Sequence, residues 1–222
     1  MTQPSFTQKI RAVCVNIFKT LDKWTNYHLG SHIRRITNTN TRKHWDKRAA
    51  EYGNFIRDYP YQDIIACLPS AGAFSLLDIG CAIGDGCIFM KKHFPKATIH
   101  GADFSPVAVE MAKGKADNIN FYVCDILKDS LPQKYDYITM ASTIEHFNDP
   151  YQVVRKCLKY VYHGVLIYTP YTEKFLDGRL YGRGEHRFLF NANSFNHFNC
   201  EVVNITAPKP TGYRYIIYKI AP

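Results

Sequence analysis

The sequence predicts an α/β fold with a doubly wound, mostly parallel sheet that carries helices on both faces. Three observations support this prediction. Strand-like and helix-like segments alternate from residue 75 to residue 169, which is typical of a parallel sheet. The first strand runs into a turn of small residues at 80–86, as strand-to-helix corners commonly do. Two apolar segments near the end of the chain, 201–205 and 214–220, are separated by a stretch rich in proline and predict antiparallel edge strands.

A basic helical extension precedes this region, and we place it at residues 1–41, ahead of a main domain at 42–222. Apolar side chains recur at three- and four-residue steps between residues 6 and 24, which predicts an amphipathic helix. We expect its apolar stripe to pack on the main domain or to form a homodimer. Peripheral contact with a membrane surface is the alternative, because a basic face opposite Trp and Phe favours anionic lipid headgroups. A polar linker follows at 28–41.

Positive charge is concentrated at the start of the chain. Residues 1–48 contain ten basic and two acidic side chains, which gives them +8 of the net charge of +9. The remaining residues, 49–222, are therefore nearly neutral, and attraction for anions comes from the first 48 residues. Because no RNA-binding module is recognisable and the positive charge is confined to the first 48 residues, nucleic acid is not the expected partner.

The cysteines and the hydropathy predict a reduced, cytoplasmic protein. Seven cysteines are scattered with no C-x-x-C pair and no His/Cys cluster at zinc spacing, so neither a disulfide framework nor a metal site is expected. No apolar run approaches the roughly 20 residues that a membrane span needs. Lys9 and Arg11 precede a short apolar segment, but Asn16 interrupts it and no small-residue cleavage site follows, so a cleaved signal peptide is not expected.

The turn after the first strand has the composition of a ligand-binding loop. Asp78 ends an apolar strand, and Gly80 and Gly84 are expected to adopt positive φ, which lets the backbone close on a ligand. The segment resembles the cofactor loop of class I S-adenosylmethionine-dependent methyltransferases, D-x-G-x-G-x-G, with Ala82 in the second glycine position. This resemblance implies a seven-stranded, Rossmann-like methyltransferase fold with S-adenosylmethionine as cofactor.

Two further acidic residues follow the next two predicted strands. Asp103 comes after the strand predicted at 97–102, and Asp125 after the strand at 119–124. A carboxylate at the tip of the second strand is placed to accept hydrogen bonds from both hydroxyls of a ribose. The resemblance implies that Asp125 receives the adenine amino group. Three acids at three successive strand ends form a more specific pattern than the glycine-rich turn alone.

The resemblance extends over roughly residues 45–220. Two helices are predicted at 42–55 and 61–68, split by Tyr59-Pro60. The first of them contains Trp45, Arg48 and Tyr52, which resemble residues of the helix that closes over the cofactor in many relatives, although core packing also explains their spacing. Residues 135–150 resemble the fourth strand and the Glu-His and Asp-Pro pairs that follow it in small-molecule methyltransferases. A helix at 153–160 and a fifth strand at 165–169 complete the alternation. The residues expected to bind the cofactor are Asp78, Gly80, Gly84, Asp103, Asp125, Arg48 and Tyr52.

Competing nucleotide-binding patterns fit the chain less well. A dinucleotide fingerprint needs glycines at positions 82 and 85, where the chain has Ala82 and Asp85, and the latter would repel a pyrophosphate. A P-loop motif is absent. The N/D-P-P-Y motif of amino-methylating enzymes does not follow the fourth strand, which argues against methylation of DNA bases.

Methyl transfer needs alignment of the reacting atoms and, for a hydroxyl acceptor, a base. Candidate bases lie on loops that follow the fourth and fifth strands, and we predict His186 first and His146 second. The loop at 176–190 has the length and composition of a substrate lid. Its arginines at 179, 183 and 187 are candidates for gripping an anionic acceptor.

The sequence therefore predicts a methyltransferase acting on a hydroxyl of a small-molecule acceptor, with a sugar or glycan-linked acceptor favoured. RNA methylation guided by the basic extension is the second enzymatic hypothesis. A non-catalytic module that binds S-adenosylmethionine or docks a partner is the third, because cofactor-binding residues can be intact without turnover.

Overall fold

A computed structural model describes residues 40–52, 59–171, 185–206 and 214–222, except for the side chains of Tyr52 and Tyr59. The chain divides into two compact units after Thr39, and the described residues belong to the second. The predicted amphipathic helix therefore lies outside the described residues, as does most of the linker. In the part of the chain that the structure describes, no helix has the length and apolarity to cross a membrane.

The described helices and strands alternate as predicted. The helices are α1 (Arg42–Tyr52), α2 (Tyr59–Ile65), α3 (Asp85–His93), α4 (Pro106–Lys113) and α5 (Pro150–Leu158), with a 3-10 turn at Ile144–His146. The strands are β1 (Ser75–Ile79), β2 (Thr98–Asp103), β3 (Asn120–Val123), β4 (Tyr135–Ala141), β5 (Val161–Pro170), β6 (Cys200–Ile205) and β7 (Tyr215–Ile220).

The seven strands form one sheet in the order β3-β2-β1-β4-β5-β7-β6. Strands β1 to β5 pair in parallel, whereas β7 pairs antiparallel with both β5 and β6. The predicted seven-stranded, mostly parallel sheet is thus confirmed. The expectation of two edge strands at the C-terminus is wrong in one respect: β7 lies between β5 and β6, so of these two strands β6 alone lies at an edge of the described sheet, opposite β3.

Residues alternate between the two faces of the central strands. On β5, Val165 and Ile167 join one buried cluster, whereas Leu166 and Tyr168 join the cluster on the other face. Apolar residues of α5 complete the first cluster, and those of α2, α3 and α4 complete the second. This is the doubly wound arrangement that the sequence predicts.

Helix starts are fixed by capping residues that the sequence shows. The Ser105 hydroxyl accepts a hydrogen bond from the backbone N–H of Ala108 at the start of α4, and the Asp149 carboxylate does the same for Gln152 at the start of α5. Proline occupies the first turn of both helices, where it has no N–H to leave unpaired. For this reason α5 begins at Pro150, three residues before its predicted start.

The start of α2 also differs from the prediction. Pro60 lies in its first turn, where proline is tolerated, so the helix begins at Tyr59 instead of after the Tyr59-Pro60 pair.

Candidate active site

The loop between β1 and α3 turns sharply at the carboxyl edge of the sheet. Gly80 and Gly84 have φ of 77° and 83°, which confirms the expectation of positive φ. A Cβ atom on Gly80 would lie 2.4 Å from the Thr143 side chain, and one on Gly84 would lie 2.9 Å from the Ala112 Cβ. The two glycines are therefore required by close packing of the loop on its neighbours as well as by the backbone conformation.

Backbone strain is found at the same edge. Among the described residues, Ala82 (φ 48°) and Ser142 (φ 52°) are the non-glycine residues with positive φ. Ala82 lies in the loop after β1, and Ser142 directly follows β4. Such conformations cost free energy and cluster at ligand-binding sites, so their position supports a functional edge.

Asp103 ends β2 and faces this loop. Its Oδ2 accepts a hydrogen bond from the Ala82 backbone N–H at 3.0 Å, and its Oδ1 accepts one from the Ser105 N–H at 2.9 Å. Burial raises the pKa of Asp103, and hydrogen bonds from the backbone of Ser105, Ala82 and Phe104 oppose this rise. An ionised carboxylate is an acceptor-only group, so it is suited to ribose hydroxyls.

Asp78 occupies a different kind of position, fully buried beneath the loop. Its carboxylate accepts hydrogen bonds from the Tyr61 hydroxyl at 2.9 Å and from the Thr139 hydroxyl at 2.8 Å, and Cys87 Sγ lies 3.8 Å away. Burial raises the pKa of Asp78 to about 7, although these three groups lower it. Asp78 thus joins α2, β4 and α3, which holds the loop in place.

Asp125 follows β3, next to the end of β2. The Cys124 N–H donates to the Asp103 carbonyl at 2.9 Å, which keeps the two strand ends together. The Asp125 carboxylate accepts a hydrogen bond from the Leu127 N–H at 3.1 Å and lies 2.9 Å from Lys128 Nζ. In the structure, Asp125 stabilises its own turn, and its contact with an adenine amino group remains a prediction.

The structure brings His146 and His186 together, 40 residues apart in the sequence. Their ring centroids are 5.2 Å apart, and Trp45 of α1 packs edge-on against His146 at 4.7 Å. The Nδ1 atom of His146 lies 3.2 Å from the Glu185 carbonyl oxygen. Burial, assisted by the neighbouring His186, lowers the pKa of His146 to about 4. Burial also lowers the pKa of His186, which Glu185 partly opposes, so the structure favours two neutral imidazoles.

Glu145 lies beside this histidine pair, and no separate role for it is predicted from the sequence. It is 1% exposed, and its Oε2 accepts a hydrogen bond from the Thr169 hydroxyl at 3.1 Å. Its Oε1 has no hydrogen-bond partner within the described ranges and lies 4.0 Å from His186 Nε2. Burial raises the pKa of Glu145 to about 8. The Glu-His pair is the sequence feature that could have indicated a role for Glu145. Its burial, however, depends on the packing of the later segment 185–190 next to the end of β4.

Glu185 fastens α1 to the histidine pair. Its Oε1 lies 2.8 Å from His44 Nε2 and 3.3 Å from Arg48 Nε. The Asn40 side-chain amide donates to the backbone carbonyls of Glu185 and His146, at 2.8 and 3.0 Å. The structure thus pairs Arg48 with a glutamate, and its predicted contact with the cofactor remains a prediction. The side chain of Tyr52 lies outside the described residues.

The loop arginines occupy different situations. Arg187 is buried, its Nε donates to Asn148 Oδ1 at 2.9 Å, and its backbone N–H donates to the Glu145 carbonyl at 2.7 Å. This side chain contacts the segment after β4, and its role in gripping an anionic acceptor remains a prediction. Arg179 and Arg183 lie outside the described residues.

The known proteins to which this chain is similar are methyltransferases. The family profile described as "Methyltransferase domain" matches residues 77–167. A malonyl-[acyl-carrier protein] O-methyltransferase of Priestia megaterium is 33% identical over 87 residues, which cover 38% of this chain and 32% of that protein. A ubiquinone biosynthesis O-methyltransferase of Coxiella burnetii is 28% identical over 123 residues, 52% of this chain and 51% of that protein. The chain thus spans between about a third and a half of these relatives' lengths.

A solved structure supports the fold. CalS10 from Micromonospora echinaspora, an amino pentose methyltransferase determined with S-adenosylmethionine bound, superposes with a TM-score of 0.53 at 16% identity. The superposition covers 80% of this chain and 92% of CalS10.

Proposed function

Because this chain belongs to the class I S-adenosylmethionine-dependent methyltransferases, we propose that it methylates a hydroxyl group of a small-molecule acceptor. A sugar or glycan-linked acceptor is our first choice. Both curated relatives named above are O-methyltransferases, which supports oxygen as the acceptor atom. The observation that carries the proposal is the meeting of Asp103, the strained loop and the histidine pair at the carboxyl edge of one sheet.

S-adenosylmethionine is the cofactor of this family, and when bound it supplies a methyl group on a positively charged sulfur. The residues present fit it, because the Asp103 carboxylate, which accepts from the backbone N–H groups of Ala82 and Ser105, is an acceptor-only group suited to ribose hydroxyls. We assign the ribose to Asp103 and the adenine amino group to Asp125. The glycine turn at 80–84 and Asp78 beneath it shape the pocket, with Arg48 and Tyr52 closing it from α1.

The chain's contribution to transfer is alignment and removal of one proton. For transfer, the residues around the site would have to hold the acceptor oxygen in line with the methyl group that the cofactor supplies. The hydroxyl proton leaves to a base, for which we propose His186 first and His146 second. Both lie beside the loop end of β4, where an acceptor would approach. Packing on Trp45 and the contact with the Glu185 carbonyl fix the His146 ring, which favours a reproducible approach.

The proposal is tested by calorimetric titration of the full chain with S-adenosylmethionine and S-adenosylhomocysteine, followed by assay of a panel of hydroxyl-bearing sugars and small molecules. We expect saturable binding of both cofactor forms and turnover with a hydroxyl acceptor. Absence of cofactor binding contradicts the assignment. Binding with turnover on RNA alone supports the second enzymatic hypothesis instead, and binding without turnover on any acceptor class supports a non-catalytic module.

The roles of the histidines need a second experiment with the acceptor so identified. His186→Ala or His146→Ala should lower turnover by roughly 10² to 10⁴-fold, as loss of a proton acceptor typically does, while cofactor affinity barely changes. If both variants keep turnover within about threefold of the parent, neither residue removes the proton and alignment carries the reaction.

A further inference from the structure

Three side chains of types that commonly bind metal ions lie together next to the proposed acceptor position. The ligand atoms of Glu145, His146 and His186 all lie within 4.8 Å of one another. Glu145 and His146 are adjacent in the 3-10 turn after β4, whereas His186 comes from the segment that follows β5. This separation in sequence explains why no zinc-like spacing reveals the cluster.

Glu145 supplies a second, independent observation. Its carboxyl group is buried, Thr169 engages one oxygen, and the other oxygen, Oε1, has no hydrogen-bond partner in the described part of the chain. A buried polar atom without a partner costs free energy, and native structures avoid this cost with a hydrogen bond or an ion. The open oxygen is on the side of His186, at 4.0 Å from Nε2.

The hydrogen bonding of His146 is also that of a side chain able to coordinate a metal. A backbone carbonyl can only accept a hydrogen bond, so the contact of Nδ1 with the Glu185 carbonyl at 3.2 Å favours the tautomer that has its proton on Nδ1. The lone pair is then on Nε2. Metal-binding histidines usually make this kind of contact through their second ring nitrogen, which fixes the tautomer and the ring orientation.

We propose that Glu145, His146 and His186 bind one divalent transition-metal ion, of the class that includes Zn²⁺ and Co²⁺. Two imidazoles and one carboxylate form a donor set that these ions favour, whereas Mg²⁺ and Ca²⁺ prefer oxygen ligands throughout. The site needs only a modest closure, because ligands about 2.1 Å from a tetrahedral zinc are roughly 3.4 Å apart.

Three protein ligands leave a coordination position open, as in catalytic metal sites. An acceptor hydroxyl bound there would lose its proton more readily, because coordination lowers the pKa of a bound hydroxyl. In that case the two histidines would act as ligands, and the proton would leave to solvent instead of to an imidazole. This catalytic role rests on the proposed function, whereas metal binding itself does not.

The test measures metal binding directly on the full chain, purified without a histidine tag and freed of metal by chelation. Calorimetric titration with Zn²⁺ should show one site per chain that is lost in Glu145→Gln and in His186→Ala. Each variant should lose more than about 100-fold in affinity for Zn²⁺. Mutation of a residue that only hydrogen-bonds to a metal ligand already lowers metal affinity about 10 to 100-fold. Titration with Co²⁺ should produce a visible absorption spectrum that the same variants abolish.

The variants are chosen to separate binding from folding. Glu145→Gln keeps the shape of a buried side chain, and His186 is 29% exposed, so its replacement disturbs the core less. His163→Ala is the matched control, because His163 is 60% exposed on β5 and lies outside the cluster. It should bind Zn²⁺ as the parent does. Thermal unfolding confirms that each variant is folded.

The outcomes are distinguishable from those of the proposed function. If Zn²⁺ does not bind saturably, or if Glu145→Gln and His186→Ala bind it as tightly as His163→Ala, the metal site is overturned even when the cofactor binds. Mg²⁺ binding as tight as that of Zn²⁺ would overturn the assignment to a transition-metal ion. If Zn²⁺ binds as expected but S-adenosylmethionine does not, the metal site stands and the proposed function fails.

Discussion

At the scale of single residues, Asp103 stabilises the loop after β1 and is also the proposed binding group for the ribose. Its carboxylate accepts hydrogen bonds from the backbone N–H groups of Ala82 and Ser105 and, as an acceptor-only group, is suited to ribose hydroxyls. We therefore expect Asp103→Ala to weaken binding of S-adenosylmethionine by about 2 to 4 kcal/mol, because both lost hydrogen bonds have an ionised acceptor. Calorimetric titration measures this change. Glu110→Ala, which removes an exposed carboxylate from nearby α4, should leave the affinity unchanged. Equal affinities for the two variants would remove Asp103 from the cofactor site.

The raised pKa of Asp78 predicts that the stability of the folded chain depends on pH. Its pKa in the folded chain is about 7, against 3.8 for the ordinary side chain, so the folded state retains a proton that the unfolded state releases between these pH values. The free energy of unfolding should therefore fall as pH rises through this window, by about 1.4 kcal/mol per pH unit and about 4 kcal/mol in total.

The experiment compares the parent with Asp78→Asn by chemical denaturation between pH 5 and pH 7.5. The variant has no proton to lose at this position, so the parent should lose stability relative to it as pH rises. The neighbouring Tyr61 and Cys87 have raised pKa values and stay neutral in this range. A difference that is constant with pH would show that Asp78 is ionised throughout.

At the scale of elements, Glu185 links α1 to the segment that carries His186. It contacts His44 and Arg48 of the helix, at 2.8 and 3.3 Å. Glu185→Ala should loosen α1, and its amide hydrogens should exchange roughly 10 to 100-fold faster, because hydrogen bonds to charged groups contribute about 1.5 to 3 kcal/mol.

Hydrogen exchange followed by mass spectrometry measures this effect. Glu51→Ala is the control on the same helix, since its exposed pair with Lys47 contributes little. If both variants protect α1 as the parent does, the helix is held by its apolar contacts and not by Glu185.

The sequence predicts helices and strands better than it predicts which side chains of distant segments come into contact. The strands leading to Asp103 and Asp125 lie within one residue of their predicted bounds, because apolar periodicity and the acidic strand ends are local signals. The partnership of Glu145 with His186 is not local. It depends on the path of the chain after β5, and no periodic pattern records that path. The same reason explains why the burial of Arg187 beside Asn148 is not evident from the sequence.

At the scale of the whole molecule, charge and binding site are separated along the chain. Residues 1–48 carry +8 of the net charge, whereas the proposed cofactor residues mostly follow residue 77. We expect deletion of residues 1–24 to leave affinity for S-adenosylmethionine unchanged and to alter self-association or binding to anionic lipid vesicles. Titration, size-exclusion chromatography and vesicle sedimentation provide the three measurements. A truncated chain that folds but no longer binds the cofactor would show that the extension forms part of the pocket.

The position of β7 has a consequence for biosynthesis. In the sheet β7 lies between β5 and β6, although it follows β6 in the chain. When the chain leaves the ribosome N-terminus first, β6 emerges before the strand that connects it to the rest of the sheet. β6 therefore cannot take its place in the sheet until β7 has been synthesised. Until then the β5 edge has no neighbour on that side, and β5 is the strand that a chaperone or a second nascent chain would find exposed.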